Sequence, residues 1–309
     1  MPSVKQNQAG PSSIGENAVA RHSSRVNLAV ILITLNEETN LGETLRNLKG
    51  WAAQVLVVDS YSRDRTVDVA LEHGAHIVQR RFRSFGDQWN FALRKLPIAA
   101  RWTMKVDPDE RVSDRLKDAI SDEIARDEVD GMTVNWRLWF MGRPLGVSTP
   151  MLRVWRTGCC RFTDVAVNEH PQVNGVVKHL RADLEHHDSP NLEHWLEKQN
   201  RYTTAEAEAA FKGVTASLPG RLLGSSLERR MWFKRRFLSI PFRYQGLFLY
   251  NLLVRGAIRQ GEVGWMWAHL RTEVIRLREY KLREMRMKGA PYTRGPIGPG
   301  EPDPRVPQF

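Results

Sequence analysis

The sequence predicts an α/β fold in which a mostly parallel, Rossmann-like sheet flanked by helices is followed by a helical, basic C-terminal part. Continuous apolar runs such as VNLAVILIT (26–34) are typical of strands that are buried on both faces. Segments with apolar residues at helical spacing alternate with these runs. From about residue 221 the chain becomes basic and aromatic, and its 309 residues allow one large domain with an appendage.

The first hundred residues predict the order strand, helix, strand, helix, strand. After the first strand, NLGETLRNLKG (40–50) has the spacing of a helix, and QVLVVDS (54–60) is a second buried strand. RTVDVALEHGA (65–75) predicts the second helix, and AHIVQ (75–79) predicts a short third strand. This alternation implies right-handed crossovers and a parallel sheet.

The next hundred residues continue the α/β pattern and then change to strands rich in Val, Trp and Arg. We predict a helix within 81–96, a strand at 101–107, a helix at 113–126, and strands with hairpin loops over 131–180. A long helix is predicted for 189–211. Ser189 is its predicted N-cap, and Pro190 falls in its first turn.

Composition divides the chain into four parts. Residues 1–25 are polar and lack the apolar core of a signal peptide, which argues against export and predicts a disordered segment. The α/β domain takes 26–215, a helical basic and aromatic region takes 216–288, and a Pro/Gly-rich tail at 289–309 is predicted to be disordered. The two cysteines are adjacent, which favours a reduced, cytoplasmic setting.

A net charge of +11 suits nucleic acid, an anionic membrane surface or a phosphorylated ligand. Basic and aromatic side chains are interleaved near residue 230, which predicts helices embedded in an anionic headgroup layer. The apolar stretch 237–254 is interrupted by Pro241 and Arg243, so we expect it to lie at the interface. No nucleic-acid recognition motif occurs, and that partner is not favoured. The cluster comprises Arg229, Arg230, Trp232, Phe233, Lys234, Arg235, Arg236 and Phe237.

Polar residues follow three of the predicted parallel strands, where ligands bind in sheets of this kind. Asn36 and Glu37 follow the first strand, Asp59 ends the second, and Asp107 and Asp109 follow the fourth. These side chains should converge on one rim. Carboxylates separated by one residue can reach a ribose hydroxyl and a hard cation such as Mg²⁺ or Mn²⁺ together. The arrangement suits a nucleotide whose diphosphate is neutralised through a metal ion.

Four segments, taken in order, carry a family resemblance: ILITLNEETNL, VLVVDSYSRDRTVDVALEHGAHIV, GDQWNFAL and WTMKVDPDERV. Together they resemble the nucleotide-sugar half of an inverting family 2 glycosyltransferase with the GT-A fold, in particular the branch of lipopolysaccharide core glucosyltransferases. The resemblance covers roughly residues 26–205. It implies that Asp109 holds the metal ion on the diphosphate and that Asp107 touches the ribose or the nucleotide. The further nucleotide-binding residues that it implies are Thr34, Asn36, Glu37, Asp59 and Gln88.

The chain departs from the family pattern at three positions. The family usually has D-S-G-S-T-D-x-T where this chain has DSYSRDRT, so that Tyr61 replaces a glycine and Arg63 a threonine. A basic residue is also common in the family at the place of Trp89. These departures leave the choice of donor open.

The same resemblance supplies the remaining site residues. An inverting displacement needs a carboxylate that takes the acceptor's proton, and DVAVNEHPQVNG (164–175) resembles the segment that provides it. Glu169 is the candidate base, with Asp164 in reserve. His187, oriented by Asp188, is a further candidate ligand of the metal or the diphosphate. Lys198 is left open between a phosphate-facing and a solvated position.

The resemblance therefore implies transfer of a hexose from a nucleotide diphosphate sugar, UDP-linked, to a lipid-linked saccharide of the bacterial envelope, such as lipopolysaccharide. The enzyme would be peripheral to the inner face of the cytoplasmic membrane. One alternative is a polyprenyl-phosphate glycosyltransferase, whose acceptor needs no strong base. Another is a non-catalytic protein that binds membrane surfaces or nucleic acid and retains a degenerate nucleotide fold.

Overall fold

The computed structural model describes residues 25–163, 170–213, 240–292 and 300–309. The predicted disordered segment at 1–25 lies almost entirely outside these ranges. The basic and aromatic cluster between Arg229 and Phe237 also lies outside the described residues.

The first half of the sheet has the predicted parallel order. Its strands lie in the spatial order β3, β2, β1, β4. The chain adds β2 and β3 on one side of β1 and then places β4 on the other side, so the strand order reverses between β1 and β4. A ligand crevice forms at such a switch point, beyond the carboxyl ends of the strands. The elements are β1 (Val26–Thr34), α1 (Glu38–Leu48), β2 (Ala52–Asp59), α2 (Thr66–Glu72), β3 (His76–Gln79), α3 (Phe85–Lys95) and β4 (Trp102–Lys105).

The second half extends this sheet to eight strands, mainly by antiparallel pairing. β7 pairs antiparallel with both β4 and β6, whereas β10 is parallel to β6 and antiparallel to β5. β8 and β9 form a separate two-stranded sheet. The elements are β5 (Glu110–Val112), α4 (Asp114–Arg126), β6 (Gly131–Phe140), β7 (Arg143–Arg156), β8 (Cys160–Phe162), β9 (Pro171–Val173) and β10 (Val177–His187).

Apolar clusters cover both faces of the sheet, as the continuous apolar run in β1 predicts. Residues 28–32 of β1 have no exposed surface. Val30 packs on the side of α1, α2 and α4, while Ile31 packs on the opposite side, against α3 and the buried Trp89 and Trp155. Because both faces are filled, the rim at the strand ends is left as the place for ligands.

Helices after the sheet form a third cluster around Phe140, Trp195 and Trp267. The long helix begins later than predicted: Asn191, and not Ser189, is its N-cap, and its side chain accepts a hydrogen bond from the backbone N–H of His194 at 2.8 Å. Among the described residues, no helix is long and apolar enough to cross a bilayer. The elements are α5 (Leu192–Phe211), α6 (Arg243–Leu249), a π-helical turn (Tyr250–Val254), a 3-10 turn (Ala257–Gln260) and α7 (Gly261–Lys288).

The predicted disorder of 289–309 is wrong for residues 300–309, which pack against the edge strand β3. Gln79 donates its backbone N–H to Pro307 O at 2.8 Å and accepts from Phe309 N–H at 2.9 Å. Val306 joins the main apolar cluster and is only 4% exposed. Although the composition is typical of disorder, one apolar side chain and the open hydrogen-bonding groups of an edge strand hold this segment in place.

Candidate active site

The polar residues predicted at the ends of the first two strands meet at one rim of the sheet. Thr34 lies opposite Asp59 in the parallel register, and its Oγ1 donates to Asp59 Oδ1 at 3.0 Å. Gln79, at the end of β3, donates from Nε2 to Asp59 Oδ2 at 2.8 Å. Asp59 is completely buried. Neutral donors therefore hold its carboxylate in one orientation without supplying a positive charge.

Hydrogen bonds connect the loop that follows β1 to the loop that follows β2. Asn36 accepts the backbone N–H of Arg63 through Oδ1 at 2.8 Å, and its own N–H donates to Ser62 Oγ at 2.8 Å. Tyr61 has φ +62°, in the left-handed region that favours glycine. A non-glycine residue there costs about 1–2 kcal/mol. The departure from the family glycine thus falls where the backbone itself favours glycine.

Glu37 and Gln88 are directed to the same rim. Burial, and next the charge of Asp109, raise the pKa of Glu37 to about 7. This effect requires Glu37 and Asp109 to be close together, although they follow different strands. Gln88 is buried, and its Nε2 donates to Ser60 Oγ at 3.3 Å beside the end of β2. The structure therefore brings the candidate nucleotide-binding residues together.

The three acids of VDPDE have different surroundings. Glu110 is completely buried and accepts from Arg153 Nη2 at 2.6 Å and from Trp136 Nε1 at 2.9 Å. Asp107 lies 3.3 Å from the same guanidinium. Burial alone would raise the pKa of Asp107, but Lys105 and Arg153 lower it. Glu110 is thus a structural acid, and Arg153, which the sequence did not single out, orients both carboxylates.

Asp109 belongs to a compact group that also contains His186 and Asp188. His186 Nδ1 is 3.3 Å from Asp109 Oδ1, and His186 Nε2 is 3.7 Å from Asp188 Oδ1. Lys198 Nζ lies between the two carboxylates, 2.9 Å from Asp109 and 2.8 Å from Asp188. One ligand atom from each of Asp109, His186 and Asp188 falls within 4.8 Å of the others. We call Asp109, His186 and Asp188 the acid–histidine group.

Two positive side chains balance the two carboxylates of the acid–histidine group. Burial alone would raise the pKa of Asp109, but His186 and then Lys198 lower it. Burial would likewise lower the pKa of His186, but Asp109 and Asp188 raise it to about 10. Lys198, which the sequence left between phosphate and solvent, is 8% exposed. It acts as an internal counterion of Asp109.

His187, the predicted second metal ligand, does not belong to this group. Neighbouring residues of a strand point to opposite sides, and the ring of His187 stacks on Trp139 while its Nε2 lies 3.1 Å from Glu185. His187 contacts Asp109 only through its backbone N–H, which donates a hydrogen bond to the backbone carbonyl oxygen of Asp109 at 2.7 Å. The H-x-D spacing of His186, near the end of β10, and Asp188, directly after the strand, was the sequence signal for two ligands on one side.

The acid–histidine group fits a divalent cation by its chemistry. Two carboxylates and an imidazole are ligands that Mn²⁺ accepts, and the carboxylates also suit Mg²⁺. In the arrangement seen here, Lys198 Nζ already contacts both carboxylates. A metal ion must therefore displace the ammonium of Lys198 and take the imidazole of His186 in its neutral form.

Glu169 and Asp164, the candidate bases, lie outside the described residues. The two ends of their segment are described: Thr163 N–H donates to His170 O at 3.2 Å, and His170 N–H donates to Thr163 Oγ1 at 3.1 Å. Asn90 of α3 donates to Phe162 O at 3.0 Å. Phe162, which precedes the segment, therefore lies beside α3, the helix that carries Gln88.

Part of the chain is similar to known glycosyltransferases. Residues 29–163 match the family model described as Glycosyl transferase family 2. An uncharacterized glycosyltransferase of Rickettsia typhi (strain ATCC VR-144 / Wilmington) is 23% identical over 226 residues, covering 68% of this chain and 76% of that protein. The lipopolysaccharide core biosynthesis glycosyltransferase LpsC of Rhizobium meliloti (strain 1021) is 29% identical over 194 residues, covering 59% of this chain and 70% of LpsC.

The chain is also similar to parts of solved structures. TarS of S. aureus is 18% identical, with 78% of this chain and 54% of that chain covered and a TM-score of 0.41. Glucosyl-3-phosphoglycerate synthase from Mycobacterium tuberculosis, in complex with Mn²⁺, UDP and glucosyl-3-phosphoglycerate, is 20% identical, with 37% and 44% covered and a TM-score of 0.32.

The family match contains the rim residues from Thr34 to Asp109 and the acids of VDPDE. The predicted α/β class and the predicted family are therefore confirmed. Residues 29–163 of this chain therefore form a domain that matches glycosyl transferase family 2.

Proposed function

We propose that this protein is an inverting glycosyltransferase that moves a hexose from a UDP-linked sugar to a lipid-linked saccharide of the bacterial envelope, at the inner face of the cytoplasmic membrane. The observation that carries the proposal is the convergence of Asp59, Asp107 and Asp109 on one sheet rim within a family 2 domain. The similarity to LpsC supports a lipopolysaccharide saccharide as the acceptor.

On the donor side, the rim provides both neutral and charged groups. Thr34, Asn36, Glu37, Asp59 and Gln88 surround the base and ribose, and Asp107, oriented by Arg153, accepts a ribose hydroxyl. The acid–histidine group would hold Mg²⁺ or Mn²⁺, which neutralises the diphosphate of the donor. Lys198, once released from the two carboxylates, would be available to pair with phosphate oxygens.

On the acceptor side, we assign Glu169 as the base. The acceptor oxygen attacks the anomeric carbon opposite the leaving group, the bond from that carbon to the diphosphate oxygen breaks, and the diphosphate leaves with the electron pair. Glu169 takes the proton of the attacking hydroxyl. A single displacement inverts the configuration at the anomeric carbon.

A donor-hydrolysis screen tests the donor side. Wild type is incubated with UDP- and GDP-sugars and Mn²⁺ or Mg²⁺, beside Asp109→Asn and the matched control Asp122→Asn, whose carboxylate is exposed on α4. We expect ion-dependent cleavage that falls by about 100-fold or more in Asp109→Asn, because a bound ion contributes several kcal/mol. The control should resemble wild type. Equal cleavage by wild type and Asp109→Asn would remove Asp109 from the mechanism.

Two further outcomes separate this proposal from its rivals. Full transferase activity of Glu169→Gln would favour a polyprenyl-phosphate acceptor, because a phosphate oxygen needs no base. Absence of ion-dependent UDP binding in calorimetry would favour a non-catalytic protein. We expect Glu169→Gln to lower transfer by about 100-fold or more, the usual contribution of a general base, while UDP affinity stays unchanged.

A further inference from the structure

A cavity of about 370 Å³ adjoins the acid–histidine group. His186 and Asp188 form part of its wall, so the cavity is continuous with the region proposed for the donor diphosphate. Its other walls come from β6, α5, α7 and Arg255, which follows the π-helical turn. A group bound here would therefore lie next to the reacting end of the donor.

Aromatic side chains shape the cavity. Trp195 and Trp267 are almost completely buried and line it from α5 and α7. Trp136 lines it from β6, and the hydrogen bond from its Nε1 to Glu110 at 2.9 Å fixes the plane of its ring. Rigid aromatic faces pack well against the C–H faces of sugar rings, and a few polar groups then set orientation. The cavity thus suits a saccharide.

Three arginines of the cavity wall differ in their partners. Arg278 is paired with Glu206 at 3.0 Å, and Arg255 lies over the ring of Trp267 at 5.3 Å. Arg271 is partly buried and has neither a hydrogen bond nor an ion pair with any residue that the structure describes. Glu206 and Asp188 are near enough to favour its charge, but burial outweighs them and lowers the pKa of Arg271.

An unpaired guanidinium in such a place is unusual because arginine does not lose its charge in proteins. Leaving a partly buried charge without a partner costs free energy that a ligand anion recovers. The nearby acids do not provide that partner: Asp188 is held by Lys198 at 2.8 Å, and Glu206 by Arg278. The cavity wall therefore includes a positive group that no described residue pairs with.

We propose that this cavity binds an anionic group, a carboxylate or a phosphate, of the saccharide that accepts the hexose, with Arg271 as its charged partner. The proposal rests on the proposed function, since it identifies the acceptor as an acidic saccharide. Arg271 holds the anionic group of the acceptor in the cavity, and the neighbouring acid–histidine group places the donor beside it.

The test compares three probes in phosphate-free buffer by NMR titration: methyl glucoside, methyl glucuronide and methyl glucoside 6-phosphate. Wild type should bind the better acidic probe at least about 10-fold more tightly than the neutral one, as one charge-assisted hydrogen bond provides. Arg271→Gln should lose this preference, and Arg271→Lys should retain part of it. Arg283→Gln removes an exposed charge from the same helix and should behave as wild type. The two acidic probes distinguish a carboxylate from a phosphate.

Two outcomes would overturn the proposal: equal affinity of wild type for all three probes, or an acidic preference that survives Arg271→Gln. The melting temperature adds a second readout. Because Arg271 has no described partner and its partly buried charge costs free energy, Arg271→Gln should not lower the melting temperature. A lower melting temperature with the acidic preference intact would make Arg271 a structural residue. Donor hydrolysis needs no acceptor and should persist in Arg271→Gln. If wild type cleaves no donor, the proposed transfer fails, while the probe comparison still decides the subsite.

Discussion

Lys198 is the residue whose role changes most between sequence and structure. In the sequence it is one cation on a helix that could face phosphate or solvent. In the structure its ammonium lies between Asp109 and Asp188, 2.9 and 2.8 Å away. Two buried carboxylates need compensating charge, and Lys198 supplies half of it. The same ammonium must compete with any divalent ion for these two oxygens.

Replacing Lys198 by Met should therefore separate stability from metal binding. With EDTA present, we expect a lower melting temperature than wild type, because removing one partner of a buried ion pair costs about 3–5 kcal/mol. Without the competing ammonium, Mn²⁺ should bind at least about 10-fold more tightly. Electron paramagnetic resonance of free Mn²⁺ measures the affinity for the ion. Thermal unfolding with and without Mn²⁺ measures how far the bound ion restores the melting temperature of Lys198→Met.

Lys212→Met is the matched control, since Lys212 is exposed at the end of the same helix. It should change neither the melting temperature in EDTA nor the Mn²⁺ affinity. If Lys198→Met binds Mn²⁺ no more tightly than this control does, then the ion does not bind between Asp109 and Asp188.

At the scale of elements, the segment 300–309 and strand β3 together support the sheet rim that we propose for the nucleotide. Gln79 ends β3, is completely buried, and donates to Asp59 through Nε2. Its Oε1 accepts from the backbone N–H of Asp303 at 2.7 Å. The segment thereby fixes the amide orientation of Gln79, and Gln79 fixes the carboxylate of Asp59. A stretch distant in sequence therefore supports the proposed nucleotide site.

Val306→Asp should release this segment, because a carboxylate cannot replace a buried apolar side chain in the main cluster without a partner. We expect faster hydrogen exchange of the Gln79 amide and weaker UDP binding, by about 10-fold if one hydrogen bond to a charged group is lost. Calorimetry measures the UDP affinity.

The control for this prediction is Val176→Asp, which places the same charge at a position that is 61% exposed. It should leave UDP affinity and exchange unchanged. Unchanged UDP binding in Val306→Asp, with the segment shown to be released by exchange, would mean that Asp59 keeps its orientation without this support.

At the scale of the whole molecule, apolar exposure is concentrated after the catalytic domain. Seven large apolar side chains between 240 and 265 are at least half exposed, led by Phe242 at 79% and Val254 at 73%. Exposed apolar side chains grouped in this way mark contact surfaces. With a net charge of +11, an anionic bilayer is the surface that the proposed lipid-linked acceptor requires.

The double variant Phe242→Ser, Val254→Ser should weaken binding to vesicles that contain phosphatidylglycerol by about 10-fold or more, since burying one such side chain contributes about 1.5–3 kcal/mol. Sedimentation with vesicles measures this binding. Val176→Ser, an exposed apolar residue of the catalytic domain, serves as the control. If the double variant sediments like the control, residues 240–265 do not contact the bilayer.

The sequence predicted the parallel half of the fold well because each strand there is a continuous apolar run, and each helix has its own apolar side. It also located Asp59, Asp107 and Asp109, because strand ends in parallel sheets share one rim. It missed the start of α5, where Asn191 and Ser189 are both suitable caps. The backbone conformation at the start of the helix decides between these two residues, and it places the side chain of Asn191 where it caps.

Local pattern by itself determined the α/β class, the order of the elements, the family resemblance and the acids at the rim. Tertiary structure alone decided which side chains meet across distant segments. It places His186, and not His187, beside Asp109 and Asp188, and it sets Lys198 between two carboxylates. It also leaves Arg271 without an ion-pair partner among the described residues, in a cavity between β6, α5 and α7. The physical reason is that periodicity records which side of an element is buried, whereas ion pairs and ligand sites depend on how separate elements pack.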